Sequence, residues 1–145
     1  MKFSCEKLLL QSAVATASRA VAAKSTIPAL EGVLLQAGSQ LTVSGYNMQT
    51  GIRTTLETDV TEEGALVLPA RLFGEIIRRL PDDIVTFSSD KGLNVRLTCG
   101  DAAYNITALS AEDYPELPEV EDQYALRIRQ QTLRSMISET SFAVS

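Results

Sequence analysis

The 145-residue sequence contains no histidine. That absence removes Ser-His-Asp and Cys-His catalysis, histidine general bases and every histidine-ligated metal site. Cysteine occurs only at Cys5 and Cys99, with no Cys-x-x-Cys spacing, which argues against a disulfide framework or a zinc site and for a reducing cytoplasm. No apolar run approaches the roughly 18 residues needed to span a membrane. Leu8-Leu9-Leu10 is interrupted by Gln11 and Ser12, so no signal peptide is expected. Bases are in deficit, 13 against 18 acids, for a net charge of −5, which speaks against a protein whose whole surface grips nucleic acid. What is present is 45% hydrophobic and 21% charged residues, a globular composition with length for one domain and a little more. The expectation is a soluble cytoplasmic domain.

The hydrophobic period changes along the chain. Lys2 to Cys5 suits a short strand. Leu9, Leu10, Ala13, Val14, Ala17 and Val21 then fall at helical spacing, with Lys7, Gln11, Ser12, Ser18 and Arg19 on the other face. Residues 33–109 read mostly as strands: a hairpin over 33–44, an alternating strand over 52–59, then 65–68, 84–88, 93–99 and 102–109. Within them, Pro69 opens a second helix in which Leu72, Phe73, Ile76, Ile77 and Leu80 recur at helical spacing, and Pro81 closes it. Residues 110–122 hold six acids, no base and two prolines, and read as an extended, solvated linker.

Sliding the sequence against itself by 123 residues sets Leu126 on Phe3, Ile128 on Cys5 and Leu133 on Leu10. The same shift sets Met136 on Ala13, Ile137 on Val14 and Val144 on Val21. Identities are few, which leaves coincidence open, but the strand-then-helix pattern is kept throughout. The physical reading is one domain over 1–122 and the start of a second copy over 123–145.

Charge is unevenly spread. In 69–80 the bases Arg71, Arg78 and Arg79 face one acid, Glu75, and in 1–24 Lys2, Lys7, Arg19 and Lys24 face only Glu6. The rest of the chain has six bases and sixteen acids. Arg71, Glu75 and Arg78 lie at i, i+4 and i+7, on one helical face. Such a face can track phosphates without reading bases; the competing reading is a solvated face with ordinary Arg–Glu pairing.

Several unconnected segments resemble the N-terminal domain of the bacterial DNA polymerase III beta subunit, the sliding clamp. They are Met1-Lys2-Phe3, Ser18-Arg19-Ala20-Val21, Lys24-Ser25-Thr26-Ile27-Pro28-Ala29-Leu30, Leu68-Pro69-Ala70-Arg71-Leu72-Phe73 and Ala111-Glu112-Asp113-Tyr114-Pro115-Glu116-Leu117-Pro118. The resemblance runs the whole chain in order. It implies an α+β clamp fold, two helices packed on antiparallel sheets, repeated three times per chain, with two chains closing head to tail around duplex DNA. It implies DNA contacts at Lys24 and Arg71, with Arg19, Arg78, Arg79 and, on the incomplete second domain, Arg134 as further candidates. Many members carry arginine where this chain has Lys24, so a purely electrostatic contact without a bidentate fork is expected there. It also implies a dimer edge including Leu72, Ile76, Tyr104 and Ile106, and recruitment of polymerase and clamp loader through later domains. Where members often have bases before that strand, this chain has Asp101-Ala102-Ala103, so ion pairing is not expected there.

Chemistry of its own is not expected. Lys24-Ser25-Thr26 follows a helix and lacks the glycines of a phosphate loop, and the acids of 110–122 lack calcium-loop spacing. No catalytic residue, metal site or cofactor is assigned. The rival readings are a non-catalytic α+β protein-binding module using the basic helix face, and a small hydrolase with paired carboxylates.

Overall fold

A computed structural model describes residues 1–119 and 125–144. Two five-stranded antiparallel sheets carry the fold. The first has the order β5-β1-β7-β8-β9, built from β1 (Lys2–Glu6), β5 (Asp59–Glu62), β7 (Ile84–Ser89), β8 (Asn94–Cys99) and β9 (Ala102–Thr107). The second has the order β10-β6-β2-β3-β4, from β2 (Gly32–Ala37), β3 (Leu41–Tyr46), β4 (Gly51–Leu56), β6 (Gly64–Pro69) and β10 (Leu109–Ser110). Helices α1 (Lys7–Ala17) and α2 (Ala70–Arg79) pack against each other and against the sheets. A third helix, α3 (Gln130–Thr140), follows the domain.

Both sheets and both helices share one hydrophobic core. Strand alternation sends Val33, Leu35, Leu66 and Leu68 into it, with Val33 opposite Leu68 and Leu35 opposite Leu66. Phe3 and Phe87 stack across neighbouring strands with centroids 4.6 Å apart. The helices add Leu10, Ala13, Val14 and Ala17 from α1, and Phe73, Ile76 and Ile77 from α2. Intervening residues of β2 and β6 are buried too: Leu34 and Val67 join Leu30, Tyr46 and Tyr114 in a second cluster. These strands are therefore apolar on both faces.

The structure departs from the sequence expectations in several places. The alternating segment 52–59 splits: β4 belongs to one sheet and β5 to the other. Segment 102–109 splits in the same way between β9 and β10. Alternation survives a change of sheet, so polarity alone does not reveal it. Leu93, at φ 61°, belongs to the turn before β8. Leu9, expected in the buried stripe of α1, is exposed. The α-helix ends at Ala17 and tightens into a 3₁₀ turn, Ser18–Ala20. The segment after Ser110 is not a bare linker. A 3₁₀ turn at Ala111–Asp113 delivers Tyr114 into the second cluster, with Leu117 packed beside it. The continuation of that segment through Asp122, including the expected domain boundary, lies outside the described residues.

The bounds of α1 and its 3₁₀ turn recur 123 residues later, in α3 and the 3₁₀ turn Ser141–Ala143. The surroundings differ. Leu10, Ala13 and Val14 are buried, whereas Leu133, Met136 and Ile137 are exposed, Met136 at 53%.

Burial raises the pKa of two thiols and one phenol. It pushes the Cys5 thiol up to about 12, with the Glu6 carboxylate adding to the effect, and it also raises Cys99. Both cysteines are free and buried, which makes them inert packing residues. The Tyr114 phenol is pushed up to about 12 by burial, and its hydroxyl completes no hydrogen bond among the described residues, although the nearby Tyr46 main chain acts in the opposite direction.

Two predictions follow from this packing. A Cβ on Gly45 would collide with the Ala17 carbonyl oxygen and stand 2.8 Å from its carbon, so α1 ends directly on β3 only because position 45 is glycine. Gly45→Ala is expected to cost about 2 kcal/mol or more in urea unfolding. Gly38→Ala, whose Cβ meets nothing, serves as the control. The Tyr114 shift fixes a pH dependence. Between pH 10 and about 12 the unfolded chain releases this proton while the folded chain keeps it. The Tyr114 contribution is thus full below pH 10 and declines as pH rises toward 12. Tyr114→Phe should remove that part of the alkaline loss from a series of thermal melts, leaving the part due to Cys5, which begins near pH 9.

Candidate nucleic-acid interface

The neighbouring helices place two of the six candidate cations, Arg71 and Arg78, on one cleft. From α1 and its 3₁₀ turn, Gln11, Val14, Ala15 and Ser18 form one wall; from α2, Ala70, Gly74 and Ile77 form the other, with Arg71 and Arg78 on it. The cleft encloses about 240 Å³. A second hollow, lined by Ser18, Ala22, Ala23, Glu31 and Arg71, lies beside the loop that carries Lys24. Arg71 is common to both.

The loop after α1 has its own scaffold. The Ser25 main-chain N–H donates to the Glu31 carboxylate at 3.0 Å, and Ile27 N–H donates to the Ser25 hydroxyl at 3.1 Å. The Ala22 N–H bonds the Leu30 carbonyl at 3.0 Å. Pro28 then opens a 3₁₀ turn, Pro28–Glu31, whose Ala29 and Leu30 are buried. Lys24 is exposed on this held loop, and Arg19 is exposed on the 3₁₀ turn before it.

Among the described residues, Arg19, Lys24, Arg78 and Arg79 have no carboxylate within ion-pair distance. Arg71 does: its Nε lies 3.3 Å from Glu75 Oε1, one helical turn on, while its side chain remains 94% exposed. An exposed pair at that spacing is worth only about 0.3–0.5 kcal/mol and yields readily to another anion.

The two remaining candidates stand apart. At about 100° per residue, Arg79 comes round beside Leu72 and away from the cleft wall that bears Gly74 and Ile77. Arg134 lies on α3, which has no buried residue, and it lines none of the hollows described.

Two lysines counted in the basic N-terminal segment are already committed. Lys2 Nζ bonds Glu62 at 2.9 Å, an arrangement that holds the Glu62 carboxyl below its ordinary range. Lys7, read from sequence as part of a solvated face, is buried, its side chain 10% exposed, with Nζ 2.7 Å from Asp82 Oδ1. The helical period set Lys7 on the face opposite the apolar stripe and gave no sign of the neighbouring turn that covers it. That turn, after Pro81, also satisfies the start of α1: Lys7 N–H donates to the Asp83 carbonyl at 3.1 Å. Asp82 and Asp83 thus place negative charge at the positive end of the helix dipole. Their partner in sequence space is 75 residues away, so no local signal could have found it.

The expected dimer edge is also modified. Strand β9 is an outer strand, its far edge unpaired among the described residues. Leu72 is 47% exposed and Tyr104 half-buried, but Ile76 and Ile106 belong to the core. Those two side chains are consumed by the domain's own packing. What this surface offers is the β9 main chain, Tyr104 and Leu72.

The fold and the sequence agree with comparisons to known proteins. The family model for the DNA polymerase III beta subunit, N-terminal domain, matches residues 1–118. The beta sliding clamp of Synechococcus elongatus is 34% identical over 148 residues, covering 100% of this chain and 40% of the relative. The solved DNA polymerase sliding clamp from Bacillus subtilis superposes with a TM-score of 0.93 at 30% identity, over 100% of this chain and 40% of that one. The beta subunit from DNA polymerase of Streptococcus pyogenes gives 0.91 at 32% identity, with the same coverage. The chain therefore spans about 40% of the length of these relatives.

The Lys7–Asp82 pair separates a structural cation from the cleft cations by experiment. Asp82 is 70% exposed, so the lost partner is partly replaced by water. Asp82→Asn is expected to cost about 1 kcal/mol in urea unfolding. Duplex binding by the full-length protein should be unchanged in a filter-binding titration.

Proposed function

The chain belongs to the DNA polymerase III beta subunit family, and we propose that it supplies the first domain of a ring-shaped dimeric sliding clamp. That ring encircles duplex DNA and tethers the replicative polymerase, acting as a processivity factor. The observation that carries this reading is the adjacency of α1 and α2, with Arg19, Lys24, Arg71 and Arg78 exposed around them in an otherwise acidic chain. These flexible cations meet phosphates without reading base edges. Arg79 and Arg134 take lesser parts, Arg134 from the second domain.

Weak contact suits a protein that must move. Exacting, bidentate contacts on every cation would hold it at one site, whereas enclosure supplies retention without affinity. The acidic remainder turns DNA away from the outer wall. Residues 1–122 form the first domain and 123–145 begin the second, a division supported by the recurrence of helix and 3₁₀ turn at the 123-residue offset. The β9 edge, Tyr104 and Leu72 meet the second protomer by strand addition beside an apolar contact. Polymerase and clamp loader engage domains beyond this chain, and the work is mechanical, in the cytoplasm, with no covalent step. Among the described residues no helix is long and apolar enough to cross a membrane.

Loading the full-length protein onto DNA tests the ring. Retention on a closed circle and release on linearisation are expected. Equal retention on linear and circular DNA would exclude enclosure.

A further inference from the structure

Arg78 and Arg79 are adjacent in sequence, but about 100° of helical turn sends them to different surfaces. Arg78 lines the cleft between α1 and α2, and Arg79 does not. The stripe that Arg79 shares is Leu72, Ile76 and Arg79, at i, i+4 and i+7. Ile76 is buried at its centre, which leaves Leu72 and Arg79 exposed at the two ends.

The end of α2 is held against the hairpin from which β9 starts. The Cys99 thiol donates to the Pro81 carbonyl oxygen at 3.4 Å, and a Cβ on Gly100 would touch the Pro81 ring at 3.6 Å. Cys99 pairs with Ala102 at the closed end of the β8–β9 hairpin. Arg79 precedes Pro81 by two residues, so it comes near the start of the outer strand. The approach to that strand, Asp101-Ala102-Ala103, holds no base. Asp101 is exposed there, and among the described residues neither it nor any other carboxylate lies within ion-pair distance of Arg79.

We propose that Arg79 belongs to the protomer edge and that its main partner is a carboxylate of the second protomer. The inference rests on the edge reading above, β9 with Tyr104 and Leu72, and adds a charge to it. An exposed guanidinium beside an apolar contact is satisfied by water until the edge closes, and then it needs an anion. Outside residues 1–24 and 69–80 this chain holds six bases and sixteen acids, so a carboxylate is what a second copy offers. The planar guanidinium can take it bidentately. One such pair also fixes the register of an added strand, which main-chain hydrogen bonds alone leave free to slip.

The test uses the full-length protein, sedimented over a dilution series and titrated with a linear duplex at concentrations where it is dimeric. A ring of two chains has two such edges, so a loss of about threefold at each compounds to about tenfold. Arg79→Ala is expected to weaken protomer association by that factor and to flatten its dependence on salt. Arg79→Lys should restore the salt dependence. Association should suffer more than duplex binding in Arg79→Ala, and Arg78→Ala should show the reverse order. If Leu72→Asp weakens association and Arg79→Ala does not, the assignment of Arg79 fails while the edge stands. If neither weakens it, both readings fall together. Loss of duplex binding as large as in Arg78→Ala, with association intact, would make Arg79 a phosphate contact and overturn the proposal.

Discussion

One hydrophobic core serves both sheets and both helices, and the placement of the cleft cations depends on it. Helices α1 and α2 are neighbours because Leu10, Val14, Phe73 and Ile77 are all buried in the same cluster. An apolar stripe committed to the core leaves the opposite stripe to solvent, which sets Arg71 and Arg78 along a shared cleft. The closest approach is at Gly45, where the end of α1 lies against β3 without an intervening side chain. That contact fixes the level at which the chain leaves the helix, and so the positions of Arg19 and the Lys24 loop.

Much of this was legible in the sequence, for identifiable reasons. The buried stripe of α2 produced a clear helical period bounded by two prolines, and the hairpin pattern of β2 and β3 and the alternation in β7 and β8 marked real strands. What escaped was non-local. The split of 52–59 between two sheets leaves polarity alternation intact, so only the pairing of β5 with β1 exposes it. Tyr114 lies in a run of acids and prolines that reads as solvent-exposed, yet its ring closes the outer face of β2 and β6. Leu9 sat at a helical position next to a buried leucine and still faces outward, because the apolar stripe is narrower than the run of three leucines.

The candidate site shows the same division. Spacing alone put Arg71, Glu75 and Arg78 on one face of α2, and the pairing of Arg71 with Glu75 fits that face. Spacing could not separate Lys7 from the exposed bases, since its partner comes from a turn 75 residues away. Resemblance carried the edge residues, but it transfers positions and not burial. Ile76 and Ile106 therefore lie in the core, and β9 keeps an edge that is unpaired among the described residues. The segmental charge count survives in sign, although Lys2 and Lys7 contribute to folding contacts and not to the cleft.

The exposed Arg71–Glu75 pair gives the helix a buffer of its own charge. A guanidinium that lets go of an outside anion does not wait unpaired; its own carboxylate receives it, one turn along the same helix. Under the proposed DNA-encircling function, the energy would be lowered less at each phosphate and raised less in each gap, a smoother path that follows from a single acid placed one helical turn after the arginine.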